Sequence, residues 1–131
     1  MAVFYNKVQR RNPSDPNATP KWYPALRNTG MLKEKDVARQ IADETTLNPK
    51  EAEMALSQLH KIMLRALHNG QSIQLGDWGS FHLTLSAEGS ETEADVSATK
   101  VRKVNIRFSP GKELKESVAK VEFRQASTLS K

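Results

Sequence analysis

The sequence predicts an α+β fold: two helices, a three-stranded meander and a short third helix, with an extra strand at each end. Three observations carry this prediction. Residues 49–68 repeat apolar side chains at helical spacing behind a full set of helix-start signals. Residues 80–85 and 101–108 alternate apolar and polar side chains with the period of a half-buried strand. Ahead of the first of these runs, GDWG at residues 76–79 places two glycines at a tight corner.

Taken in order, AVFYNKVQRR at residues 2–11 holds the β-formers Val3, Phe4, Tyr5 and Val8 and predicts a short strand. The next thirteen residues, NPSDPNATPKWYP, contain four prolines, which rules out a helix or a central strand. They predict an extended loop, with Trp22, Tyr23 and Leu26 tacking its far end onto the body. Over residues 32–46, Val37, Ala38, Ile41 and Ala42 mark one face of a short amphipathic helix. LNPKE restarts the pattern, with Asn48 as N-cap, Pro49 at the first helical position and Glu51 where a capping box places its acid.

The helix over residues 49–68 carries Ala52, Ala55, Leu56, Leu59, Ile62, Met63, Ala66 and Leu67, a stripe wider than one short neighbour covers. Full burial of each large side chain is worth roughly 1.5–3 kcal/mol, so a second copy of the chain is the expected cover. Gly70 ends the helix as its left-handed residue. After a short strand over residues 72–75 and the corner, Phe81, Leu83 and Leu85 share one strand face and His82 and Thr84 the other. Residues 86–99, SAEGSETEADVSAT, are small, polar and acidic and predict an exposed, mobile excursion. The chain returns with Val104, Ile106 and Phe108 on one face and Lys103, Asn105 and Arg107 on the other. Ser109 as N-cap and Pro110 at the first position then open a short helix, and KVEFRQ at residues 120–125 predicts a last strand.

Charge and composition narrow the function. The chain has 131 residues, the size of one domain, and a net charge of +5. Residues 1–30 carry +4, residues 31–99 carry −5 and residues 100–131 carry +6, so bases cluster toward both ends. Such clustering points to a polyanion, because Lys and Arg release the counterions condensed on nucleic acid. There is no cysteine, which excludes disulfides and thiolate metal sites, and no apolar run has the length of a membrane span. MAVFYNKVQRRN lacks the apolar block of a signal peptide, so a cytoplasmic location is expected.

The residue pattern gives no sign of an enzyme. His60, His68 and His82 lack the i, i+4 spacing of a helical metal pair, and the acids crowd the stretch predicted to be mobile, where no rigid frame tunes a carboxylate pair. GDWG has neither the spacing of a phosphate-cradling loop nor a helix behind it. No cofactor or metal is expected. What remains is a surface: Lys103 and Arg107 on a strand, joined by Lys100 and Arg102 at its start, followed by a helix N-terminus with Lys112 and Lys115. Amides at the corner, Gly79 and Ser80, would add donors on the same side. This is chemistry for gripping phosphates, which positions a protein without reading sequence.

GQSIQLGDWGSFHLTL resembles the G-x-x-V-x-L-x-G-F-G-x-F segment of the HU and IHF histone-like bacterial DNA-binding proteins, with Gly76, Trp78, Gly79 and Phe81 at matching places. IRFSPGKELKESV is similar to that family's run into its last helix, matching at Phe108, Gly111, Lys112, Leu114 and Lys115. The resemblance covers residues 32–120, and residues 1–31 and 121–126 resemble the additions of a Bacteroidetes-type subgroup. It implies an HU/IHF-like fold in three parts: an N-terminal extension over 1–31 packed on the body, a DNA-binding domain over 32–126, and a disordered tail over 127–131.

It also implies an intertwined, nucleoid-associated homodimer that holds double-stranded DNA between two β-arms without sequence preference. Leu56, Leu59, Ile62, Met63, Trp78, Phe81 and Phe108 would form its dimer core. One departure bears on mechanism. The family's arm is basic with an Arg-Asn-Pro tip, whereas residues 86–99 carry Glu88, Glu91, Glu93 and Asp95 and neither base nor proline. A grip by the arm's base and saddle is therefore expected in place of a proline wedge, and Arg11-Asn12-Pro13 stands in the wrong topological place to supply one.

Two other readings compete. A winged-helix module needs a recognition helix with a polar, basic face, which residues 49–68 do not offer. A protein-interaction scaffold on an HU-like fold would use the acidic arm or the aromatic N-terminal segment toward a protein partner.

Overall fold

A computed structural model of the chain describes residues 2–128. The elements run β1 (Ala2–Arg10), β2 (Lys21–Arg27), α1 (Glu34–Glu44), α2 (Pro49–His68), β3 (Ile73–Gln74), β4 (Gly79–Ala87), β5 (Val101–Pro110), α3 (Lys112–Val118) and β6 (Glu122–Gln125). They form an α+β chain with two three-stranded sheets, ordered β2-β1-β6 and β3-β4-β5. Contacts divide it into two units, Lys33–Glu116 and a second built from the two ends of the chain. The boundary drawn from sequence at residue 126 therefore moves, because β6 pairs in parallel with β1, Val3 beside Phe123 and Tyr5 beside Gln125, and so belongs with the N-terminal strands. Of the expected tail, residues 127 and 128 lie in the 3₁₀ turn Ala126–Thr128, and residues 129–131 lie outside the described residues.

In the terminal unit, the stretch expected to be loop is partly strand. β2 runs antiparallel to β1 from Lys21 to Arg27 and includes Pro24, opposite Lys7. It does so because it is an edge strand, where proline's missing N–H breaks no ladder bond. Trp22, Tyr23 and Leu26 thereby become strand residues facing β1 partners Gln9, Val8 and Tyr5. The loop keeps residues 11–20, where Asn12 and Asp15 side chains accept from the backbone of Ser14 and Asn17 and tighten the turns.

In the central unit, α2 starts and ends where its sequence signals place it. Asn48 Oδ1 accepts the Glu51 N–H at 2.8 Å, and its amide donates to the Glu51 carboxylate, so the acid meets the cap's side chain and not its backbone. The first helix shows the other half of the motif, Asp36 accepting the Lys33 N–H at 3.0 Å. The two helices meet through small side chains: Ala38 and Ala52 are fully buried, and Leu67 is buried near the end of α2. Among the described residues, no large side chain is fully buried.

The corner is made by backbone against backbone. After the 3₁₀ turn Gly76–Trp78, Gly79 takes φ 129° and its carbonyl accepts from Leu75 N at 2.9 Å, while Trp78 O accepts from Gly111 N at 2.8 Å. A Cβ on Gly79 would stand 2.0 Å from Ser109 O, and one on Gly111 would stand 2.3 Å from Asp77 O. Both glycines are thus fixed by contact, and Gly79 also by conformation. From this anchor β4 and β5 pair antiparallel, Gly79 opposite Pro110 and Phe81 opposite Phe108, out to Ser86 opposite Lys103. The Phe81 and Phe108 rings lie 4.9 Å apart, tilted by 34°.

The last helix begins later than expected. Pro110 and Ser109 stay in β5, opposite Gly79 and Ser80, and Lys115 N bonds to Gly111 O, so Gly111 occupies the position expected of Ser109. The ladder from the corner outcompetes the cap. The corner also yields a test. Gly79→Ala should lower unfolding stability by about 3 kcal/mol, from a strained φ and backbone overlap. Gly89→Ala, with nothing within 4 Å of the added carbon, should change it by less than ~0.5 kcal/mol. Urea midpoints of the two variants give the comparison, and equal midpoints would contradict this packing.

Candidate nucleic-acid interface

The register of β4 and β5 sorts the arm into two unlike faces. Phe81, Leu83 and Leu85 lie opposite Phe108, Ile106 and Val104 on one side; His82, Thr84 and Ser86 lie opposite Arg107, Asn105 and Lys103 on the other. Lys103 and Arg107 are therefore on one face, roughly 13 Å apart along the strand, with Asn105 between them and its amide 3.4 Å from Ser86 Oγ. Both bases are exposed.

The apolar face is the surprise. Leu85 is 63% exposed, Ile106 64% and Val104 53%, while His82 and Thr84 on the polar side are half-buried. The expected half-burial of this strand is inverted beyond Phe81, because none of the described residues buries Leu85, Val104 or Ile106 on its apolar side. The residues assigned to a dimer core behave the same way: Ile62, Trp78 and Phe108 are exposed, and Leu56, Leu59, Met63 and Phe81 only half-buried. Each belongs to a surface that a single chain leaves bare.

The other candidate bases separate into used and unused. Arg102 is the extra residue at a bulge, since Ser86 pairs with Lys103 and Ala87 with Val101. Its guanidinium lies 2.5 Å from Glu88 Oε1, so an arm carboxylate occupies it. Lys100 is half-buried at the end of the 3₁₀ turn Ala98–Lys100, where its carbonyl accepts the Glu88 N–H. Lys112 stands 4.0 Å from Glu116 with both side chains largely in solvent, a contact that holds it weakly. Lys115 is exposed on the same short helix.

Gly79 and Ser80 are placed differently from the phosphate-facing corner expected of them. Ser80 pairs with Gln74 on one side and Ser109 on the other, and Gly79 is buried against residues 109–111. Their backbone belongs to the sheet, which leaves the Ser80 hydroxyl on the polar face as their contribution. The excursion over residues 86–99 also has more order than its composition suggests. The turn Glu93–Asp95 is pinned by Thr92 Oγ1 donating to Asp95 at 2.8 Å, and Ser97 and Thr99 share a 2.7 Å hydroxyl contact.

Two acid contacts escaped the sequence reading. One is Glu88 on Arg102. The other joins Glu113, in the first turn of α3, to Asp77 in the corner: a side-chain hydrogen bond to Asp77, then repulsion between the two charges, raises the Glu113 carboxyl above its ordinary range. Asp77 and Glu113 are remote in sequence, and only the contact between Gly79 and Gly111 brings them together. Among the described residues there is no group of three or more side chains able to hold a metal ion, and no helix is long and apolar enough to cross a membrane.

A family model for HU domains fused to winged-helix, immunoglobulin-like or glycine-rich motifs matches residues 1–125, and so takes in the N-terminal strands. Integration host factor subunit beta of Pseudomonas putida is 29% identical over 100 residues, 75% of this chain and 100% of that protein. The crystal structure of a candidate bacterial DNA-binding protein from Bacteroides vulgatus covers 95% of this chain with a TM-score of 0.63 at 15% identity, and the chain spans 48% of its length. An HU–DNA cocrystal structure from Anabaena covers 67% of this chain and 98% of its own, with a TM-score of 0.54 at 19% identity. At such identities the two structures establish the fold.

The acid pair gives a pH test. A carboxyl raised by sharing a proton supports the fold while protonated and loses that support as pH rises through its raised value. Glu113→Gln should therefore match the parent's melting temperature in acid and exceed it above the carboxylate range. A difference that stays constant across this pH series would show that Glu113 does not titrate as described.

Proposed function

This chain belongs to the HU/IHF family, and on that premise we propose that it is an architectural double-stranded DNA-binding protein that grips phosphates without reading base sequence. The observation that carries the reading is the two-faced arm. Lys103 and Arg107 project from one side of a rigid two-stranded ladder whose other side is bare hydrocarbon. A surface of that kind is completed by a second copy on the apolar side and by a polyanion on the basic side. The protein acts as a homodimer, with the bare faces of α2, β4 and β5 as its shared core. Binding, and not catalysis, is its role, in the cytoplasm at the nucleoid.

Lys103, Arg107, Lys112 and Lys115 are the proposed phosphate contacts. Lys100 and Arg102 contribute less, since one is half-buried and the other is occupied by Glu88. Kinking by a proline wedge has no residue to perform it: residues 86–99 contain no proline and carry Glu88, Glu91, Glu93 and Asp95. Those carboxylates also repel phosphate at close range, so the grip lies nearer the base of the arm.

A duplex titration at several salt concentrations, with the mass measured in parallel, tests the reading. Six to eight phosphate contacts per dimer give a slope of log affinity on log salt of about −5 to −7. Replacing Lys103, Arg107, Lys112 and Lys115 together by Ala should flatten the slope and weaken binding at least tenfold. A quadruple variant that stays dimeric with full duplex affinity rejects the assignment, and a flat slope in the parent favours the protein scaffold. Separately, Glu88→Gln should free Arg102 and steepen the slope by about 0.9 for each arm that gains a phosphate contact; unchanged affinity and slope would show that Arg102 does not face DNA.

A further inference from the structure

The terminal unit has a surface that the duplex reading leaves unused. In the β2-β1-β6 sheet, Tyr5 lies opposite Leu26, Gln9 opposite Trp22 and Val3 opposite Phe123, so Tyr5, Trp22, Leu26 and Phe123 all project from one face. Three aromatic rings, one on each strand, therefore share a side of a three-stranded sheet. Trp22 and Phe123 are each 66% exposed and Leu26 is 73% exposed. Tyr5 on this face is half-buried, as are Phe4 and Val8 on the opposite one, where Tyr23 is exposed; the largest exposures are those of Trp22, Leu26 and Phe123. The rings border a groove of about 590 Å³, and Lys7 also lines it.

The charge around this face identifies what it fits. Arg10, Arg11 and Lys21 line a second groove at the hairpin end of β1 and β2, and Asp15 is the sole acid among residues 1–30. Among the described residues, Lys7, Arg10, Arg11 and Lys21 take part in no ion pair. On the ring face Lys7 supplies the cation, whereas Arg10 and Lys21, opposite each other, project from the reverse face at the hairpin end; flat rings beside an unpaired cation are complementary to a chain that alternates flat bases and phosphates. Among the strand residues on this face there is no acid to meet Lys7 of a second copy. A duplex would hide its base faces in the stack, whereas a single strand presents them.

We propose that the aromatic face of the β2-β1-β6 sheet, built on Tyr5, Trp22 and Phe123 with Lys7 beside them, binds single-stranded DNA by stacking its bases while Lys7 holds a phosphate. Stacking tolerates any base, so the site has little sequence preference. The chain then carries two DNA surfaces of different kinds, a phosphate grip for the duplex in one unit and a base platform for unpaired stretches in the other.

The test uses the full chain and three fluorescent probes: a short oligothymidylate, an abasic oligonucleotide of the same length, and a duplex. Oligothymidylate should bind about tenfold or more tighter than the abasic strand, since each base stacked on a ring contributes measurably. Trp22→Ala and Phe123→Ala should each weaken oligothymidylate about 5- to 100-fold, Trp22→Phe should retain binding, and duplex affinity should not change in any of them. Circular dichroism of Phe123→Ala controls for loss of β6; Trp22, on an edge strand and largely in solvent, supplies an independent variant. Equal affinity for the abasic strand, or Ala variants that bind oligothymidylate like the parent, would overturn the proposal. So would variants that alter the sedimentation mass and not the oligothymidylate affinity, which would give the face to a second copy. An RNA oligonucleotide bound in place of the DNA strand would also overturn it.

Discussion

Two glycines in contact, Gly79 and Gly111, set the geometry on which the central unit depends. Each lies where a single added carbon would strike the backbone of the other segment, and the Trp78 carbonyl accepts the Gly111 N–H across the gap. This closes β4 and β5 at one end and fixes their register, because a ladder pinned at Gly79 and Pro110 places every later pair. A slip of one residue would send Lys103 and Arg107 to the apolar side and Ile106 and Phe108 to the basic one. The partition of charge and hydrocarbon along the arm thus follows from a contact that contains neither.

The same partition explains why one chain is an incomplete object. The helix pair closes over alanines, and among the described residues no large side chain is fully buried. Ile62, Val104, Ile106 and Phe108 would each contribute roughly 1.5–3 kcal/mol if covered, yet the fold of one protomer leaves them in water. Small residues between α1 and α2 bring the helices close and leave larger neighbours such as Ile62 exposed. This is the ground for the proposed dimer, in which the other subunit would cover the back of the arm that presents the basic face.

Acids moderate the basic surface at both ends. Glu88 occupies Arg102 near the tip, and Asp77 and Glu113 share hydrogen bonding at the corner, where a helix N-terminus begins. The cationic surface is consequently narrower than a count of Lys and Arg suggests, centred on Lys103 and Arg107 at mid-arm. The terminal unit shows the reverse arrangement: few acids, unpaired cations and exposed rings on a sheet assembled from both ends of the chain.

Much of this was legible in the residues themselves. Asn48, Pro49 and Gly70 fixed the limits of α2, because caps and breakers act within a turn of where they stand. The period-two alternation of residues 101–108 placed Lys103 and Arg107 on one face, because strand geometry is local. Elements set by partners distant in sequence were not legible. Four prolines argued for a loop until β1 made Lys21–Arg27 an edge strand, Ser109 looked like a helix cap until Ser80 held it in a ladder, and Glu88 and Arg102 met only because a bulge turned the arginine. Sequence by itself determined which residues could be helix, strand or corner, and the charge each would carry. Tertiary structure decided which of those charges stay free and which apolar faces stay bare, since both depend on what the backbone brings within a few ångströms.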